Sequence, residues 1–128
     1  MQVAYICGPY RAPTIHQTVQ NIRRAEEAAL ALWRMGYAVI CPHKNTGLLD
    51  GACDDSVWLE GDLELLRRSD LIVTLPGWEQ SEGSRREVVE ARKLGIPVYS
   101  LDEIKNNYLK LQEAVGVDKN EGRWYGER

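Results

Sequence analysis

Short apolar runs and longer amphipathic stretches take turns along this chain, and that alternation constrains the fold more than any other feature. Val3-Ala4-Tyr5-Ile6-Cys7 reads as a buried strand closed by Gly8-Pro9. A helix is predicted from about Thr14 to Met35, because Ile22, Ala25, Ala29 and Leu32 recur at helical spacing and Gly36 stands where a helix ends. Tyr37 to Cys41 is a second strand, stopped by Pro42, and residues 42–56 read as a long polar loop of the kind that often carries function. Asp54, Asp55 or Ser56 then caps a helix over about 57–68. Residues 70–75 form a third strand, a helix follows from about Ser84 to Leu94, residues 97–100 form a fourth strand, and a last helix covers about 102–113. Strands joined through helices need crossover connections, so the sheet is parallel and covered on both faces. The fold class is therefore α/β, a doubly wound parallel sheet. One domain spans 1–113, and 114–128 is a polar tail in which Trp124 and Tyr125 point to docking on the body or on a partner subunit.

Composition narrows the partners. At 128 residues with 44% hydrophobic side chains, the chain suits one domain with a real core. No apolar run approaches the roughly 20 residues that cross a bilayer. Met1-Gln2-Val3-Ala4 puts no basic residues ahead of the first apolar run, so no signal peptide, no membrane partner and a cytoplasmic location are expected. A net charge of −3 argues against a nucleic-acid polymer as partner, but not against a nucleotide monomer. Cys7, Cys41 and Cys53 are odd in number and contain no CxxC, which reads as three reduced structural thiols. A zinc set drawn from Cys41, His43, Cys53 and His16 matches no standard spacing, so no metal is expected.

In doubly wound sheets ligands sit beyond the carboxyl ends of the strands. That rule selects Gly8 to Pro13, Pro42 to Asp55 and Pro76 to Glu87. The last of these enters a helix whose free N–H groups favour an anion. Glu87 is placed in or near its first turn, in line with Ala91 and Leu94 on the edge facing the sheet, while Glu90 faces water. In the preceding helix Leu59, Leu63 and Leu66 mark the buried face, with Asp62 beside it and Glu60 and Glu64 further out. Two inward carboxylates are what glycosidic cleavage requires, about 5–5.5 Å apart in a retaining enzyme. Spacing alone also fits a Glu87 that merely satisfies the helix dipole and a solvated Asp62. Arg11 is a candidate phosphate partner, His43 a candidate base contact, and Trp58 and Trp78 candidates for stacking on a base or for packing.

Through Tyr5-Ile-Cys-Gly-Pro9, Asp62-Leu-Glu-Leu-Leu with Ser69-Asp70, and Ser81-Glu-Gly-Ser-Arg-Arg-Glu87 leading to Gly95-Ile-Pro97, the chain resembles the nucleoside 2-deoxyribosyltransferase superfamily. That superfamily includes the 2′-deoxynucleoside 5′-phosphate N-hydrolases, and the likeness runs from about Tyr5 to Tyr99. The resemblance implies a flavodoxin-like or Rossmann-like fold, no metal or organic cofactor, a homo-oligomer, and a small deoxynucleoside or deoxynucleotide as substrate. It makes Glu87 the nucleophile of a covalent glycosyl intermediate, Asp62 the acid, and Tyr5 the group that positions Glu87. Gly8, Pro9 and Arg11 become the loop that cups sugar and phosphate, and Ser81, Gly83 and Ser84 become further substrate-binding residues. Ser81 stands where nucleoside transferases tend to carry aspartate, and a hydroxyl donates to a phosphate that a carboxylate would repel, so the resemblance leans toward a 5′-monophosphate. Pro76-Gly77-Trp78 and Arg85-Arg86 are features of neither branch. Two rival readings stand beside this one: a non-catalytic nucleotide-binding module, and a lysine-decarboxylase-like phosphoribohydrolase, from whose Pro-Gly-Gly motif the chain departs at Trp78.

Overall fold

The structure, a computed structural model, describes residues 1–115. The elements in order are β1 (Val3–Cys7), α1 (Ile15–Arg34), β2 (Ala38–Ile40), α2 (Pro42–Asn45), α3 (Asp55–Arg67), β3 (Leu71–Thr74), α4 (Glu82–Lys93), β4 (Val98–Ser100) and α5 (Leu101–Val115). A 3₁₀ turn, Trp78–Gln80, lies between β3 and α4. The sheet is parallel throughout, in the order β2-β1-β3-β4, with Tyr5 paired to Ile40 on one side and Ile72 on the other. This is the flavodoxin-like, doubly wound arrangement expected.

The order follows from β1, whose side chains alternate between faces. Ala4 and Ile6 join Ala25, Ala28 and Leu32 of α1 and Ile104 of α5 in one apolar cluster. Tyr5 and Cys7 join Leu66 of α3 and Val88 and Ala91 of α4 in another. The chain winds to one side of β1 to make β2, then crosses back to its other side to make β3 and β4. The strand order therefore reverses at β1, and a crevice opens past the carboxyl ends of β1 and β3. Gly8 turns the chain out of β1 there, and a Cβ on it would lie 2.9 Å from Leu75 Cβ, too close for any larger residue without movement. Gly77 turns the chain out of β3 with φ +87, a left-handed conformation that side chains disfavour.

Several boundaries differ from the sequence reading. The expected 42–56 loop contains α2, and α3 starts at Asp55 because the Asp54 carboxylate accepts from the Ser56 N–H at 3.0 Å. Ser81 caps α4, its Oγ accepting from the Ser84 N–H at 3.2 Å, so α4 begins before Ser84 and Glu87 falls in the second turn rather than the first. Leu59 and Leu94, expected to be inward, are 41% and 51% exposed, and Leu63 is half-buried at the crevice, whereas Leu66 does turn wholly inward. Glu90 does not simply face water: it is half-buried and accepts from Arg67 Nε at 3.2 Å. Helix α5 takes in Ala114 and Val115, which had been assigned to the tail, and Trp124 and Tyr125 lie outside the described residues. Among the described residues no helix is long and apolar enough to cross a membrane.

Candidate active site

A cavity of about 630 Å³ occupies the crevice, in the range of small-molecule sites. Loop 8–11 from β1, His43 of α2, one face of α3 and the first two turns of α4 line it. Asp55, Leu59 and Asp62 follow one another at i, i+4 and i+7 on that face of α3, which is why Leu59 is not in the core. Asp62 and Glu87, on separate helices, share this cavity.

Glu87 is held from below. The hydroxyl of Tyr5, itself wholly buried, donates to its carboxylate. Burial, followed by the neighbouring Glu87 carboxylate, raises the Tyr5 phenol far above its ordinary range, so it remains a donor. Burial also pushes the Glu87 carboxyl up to about 7; the Asp62 charge adds to the rise, and the hydrogen bond from Tyr5 and the nearby Cys7 thiol oppose it. Burial alone pushes Asp62 up to about 6. Two carboxyls that titrate near neutrality and feel one another share about one proton there; the higher pKa of Glu87 rests it mainly on Glu87, so a reaction with Glu87 as the attacking group runs through the tautomer that has the proton on Asp62. One carboxylate to attack and one carboxylic acid to protonate is the division of labour that glycosidic cleavage uses.

The remaining candidates divide. Gly8, Pro9, Arg11, His43, Ser81, Gly83 and Ser84 all line the cavity. Arg11 is committed to Asp55 at 2.9 Å, and Arg86, which also lines the cavity, lies 3.5 Å from Glu82. His43 Nε2 is 3.1 Å from the Gly8 carbonyl and 2.9 Å from that of Pro9. Two acceptors there put the hydrogen on Nε2, and burial lowers the ring's pKa, so a neutral His43 clamps the exit of β1 with the nitrogen that would otherwise meet a base. Trp78 is placed elsewhere: it packs against the cluster of Tyr5, Cys7 and Leu66 and does not line the cavity, so it serves packing rather than stacking. Trp58 does line the cavity. Among the described residues, the buried side-chain polar atoms with no hydrogen-bond partner are His43 Nδ1, Trp58 Nε1 and Ser84 Oγ, and all three residues belong to this cavity. Folded proteins rarely leave such groups unmatched away from a binding site.

Sequence reasoning missed the roof. The Tyr10 hydroxyl donates to the Asp50 carboxylate and accepts from the Leu48 N–H at 2.8 Å, tying loop 8–13 to loop 46–54. That bond helps hold Leu48 at φ 64, a left-handed conformation uncommon for leucine. Irregular loops have no periodicity, so no signal in the sequence pairs Tyr10 with Asp50. Of the zinc set considered above, Cys41 is partly buried and Cys53 exposed. Among the described residues no three His, Cys, Asp or Glu side chains gather as a metal site.

Comparison with known proteins gives a fold and a family. The structure is similar to the solved 2-deoxyribosyltransferase of the psychrotolerant bacterium Bacillus psychrosaccharolyticus, with a TM-score of 0.57 and 20% identity over 77% of this chain and 70% of that one. No curated protein matches the chain. The model of a domain of unknown function, DUF4406, matches residues 2–100. That span holds all four strands and every residue lining the cavity, and the chain belongs to the DUF4406 family.

Proposed function

We propose that this protein cleaves the N-glycosidic bond of a 2′-deoxynucleoside by double displacement. The observation that carries the reading is the carboxyl pair: Glu87 and Asp62 share one cavity, both are lifted toward neutrality by burial, and Tyr5 donates to Glu87. In the first step a Glu87 oxygen bonds to the anomeric carbon, the bond from that carbon to the base nitrogen breaks, and Asp62 gives its proton to the departing base. In the second step water or another base attacks the same carbon, Asp62 takes the proton back, and the Glu87 carboxylate leaves. Water gives hydrolysis, and a second base gives exchange. The fold is one that a 2-deoxyribosyltransferase uses, which agrees with this chemistry.

The lining favours the free nucleoside over its 5′-monophosphate. The lining carries five acidic side chains, Asp50, Asp55, Asp62, Glu82 and Glu87, against two arginines, Arg11 and Arg86, which pair with Asp55 and Glu82. A phosphate entering that field would have to draw an arginine away from its acid. The Ser81 hydroxyl accepts from the Ser84 N–H and keeps its own hydrogen to donate, so the preference for the free nucleoside rests on these charges alone.

The test is base release from a panel of deoxynucleosides and their 5′-monophosphates, read by chromatography with and without a second free base. Base release by the wild type, lost in Glu87→Gln, supports the reading. Binding without turnover across the whole panel would overturn it in favour of a non-catalytic module.

A further inference from the structure

Cys7 is the buried ionisable group that this chemistry leaves unused. It is wholly buried two residues beyond Tyr5, so the two side chains leave β1 on the same face. Its Sγ donates to the backbone oxygen of Ser84 at 3.4 Å and lies within electrostatic reach of the Glu87 carboxylate, whose charge raises the thiol's pKa. Ser84 and Glu87 are three residues apart in α4, hence neighbours on one side of the helix. A thiol carries a single hydrogen and stands here between two acceptors.

We propose that Cys7 is a positioning residue for Glu87, its hydrogen turning to the Glu87 carboxylate when that group is ionised and to the Ser84 carbonyl when Glu87 is protonated or carries the sugar. Only the sugar-bearing state rests on the function proposed above. Rigid donors do not have this freedom, since a donor fixed on Glu87 loses much of its partner when the charge there is removed. The thiol always has an acceptor, so Glu87 gains and loses its charge without stranding a buried donor. Cys7 plays no part as a nucleophile: burial and the Glu87 charge keep it in the protonated form. The titratable groups acting on Glu87 are Tyr5 and Cys7 from β1 and Asp62 from α3, while Glu82 and Arg86 of α4 pair with each other.

The experiment follows the S–H stretching band of Cys7, isolated by subtracting the spectrum of Cys7→Ser, from about pH 5 to about pH 9. The expected result is a move to lower frequency as Glu87 ionises near pH 7, absent in Glu87→Gln. A band that does not respond to pH overturns the proposal. This measurement needs no turnover, so a shifting band in a protein that releases no base would keep the positioning role and discard the glycosidase. With activity in hand, Cys7→Ala is expected to lower kcat about fivefold at unchanged KM and to move the acid limb of the pH profile upward, with Cys7→Ser restoring the limb. Equal loss of thermal stability in both variants, with the acid limb unmoved, would reduce Cys7 to packing. If Cys7→Ala does not fold, the wild-type band decides.

Discussion

The two faces of the sheet are built from one strand, and they do different work. Toward α1 and α5, β1 turns Ala4 and Ile6 into a cluster whose buried members are alanines and aliphatic side chains, with the titratable Tyr37 and Cys41 packed only against its partly exposed rim. Toward α3 and α4 it turns Tyr5 and Cys7, and there the same kind of apolar packing surrounds a phenol, a thiol and a carboxyl. The first face obeys the ordinary logic of burial, in which each apolar side chain removed from water stabilises the fold. The second buries a group that prefers water, and its pKa near 7 measures that conflict. Apolar packing stabilises both sides of β1, but on the function proposed here only the α3–α4 side carries chemistry, and substitutions should separate the two.

The largest expected effect is on activity at Glu87. Glu87→Gln keeps the shape and removes the attacking oxygen's charge, and base release should fall at least about a thousandfold with an unaltered circular dichroism spectrum. Near-normal turnover in this variant would erase the distinction between the faces. Asp62→Asn should cost about a hundredfold, the usual worth of a general acid. The wild-type pH profile should be a bell, since turnover needs one proton on the pair: activity falls in acid as the pair takes up a second proton and in alkali as it loses the last one. Loss of the alkaline limb in Asp62→Asn is the diagnostic result, and an unchanged limb would assign the acid elsewhere.

Those expectations were partly legible in the sequence. A helix period of 3.6 fixes directions, which is how Asp62 and Glu87 were selected, while the resemblance rather than the spacing supplied their roles and brought in Tyr5. Periodicity does not report depth. Leu59 has the spacing of a core residue, but its end of α3 borders the crevice, so the side chain lines the cavity. Trp78 erred in the opposite direction, an aromatic in a candidate ligand loop that the 3₁₀ turn folds back against the core. His43 and the Tyr10–Asp50 contact depend on loops meeting across the mouth of the cavity, and no local pattern encodes a meeting of that kind.

A smaller effect, in stability, sharpens the comparison. The folded-state pKa of Glu87, about 7, lies above the ordinary 4.5 of the unfolded chain. Above pH 7 the group is ionised in both states and the folded protein carries the burial penalty. As pH falls through 7 the folded state takes up a proton first and gains stability, until near 4.5 both states are protonated and the difference ends. Gln is neutral throughout. Glu87→Gln should therefore be more stable than wild type by about 2 kcal/mol at pH 8, with the advantage shrinking toward pH 5. Thermal or urea unfolding at the two pH values checks this, and a variant less stable at pH 8 would show that Glu87 is not a strained group.

The smallest effect is the most direct, because it compares adjacent residues. Tyr5 and Ala4 are both wholly buried and one peptide apart, on opposite faces. Tyr5→Phe removes one hydroxyl from the side chain and takes the donor from Glu87, which should lower kcat about tenfold and move the acid limb to higher pH, since the ionised carboxylate loses support. Ala4→Gly also removes little, one methyl group, and should lower stability by about 1 kcal/mol while leaving the pH profile of the folded enzyme in place. If both variants only destabilise, Tyr5 is one more core residue and β1 has no reactive side. If only Tyr5→Phe moves the limb, a single alternation along five residues sets the side of β1 that carries chemistry apart from the side that only packs.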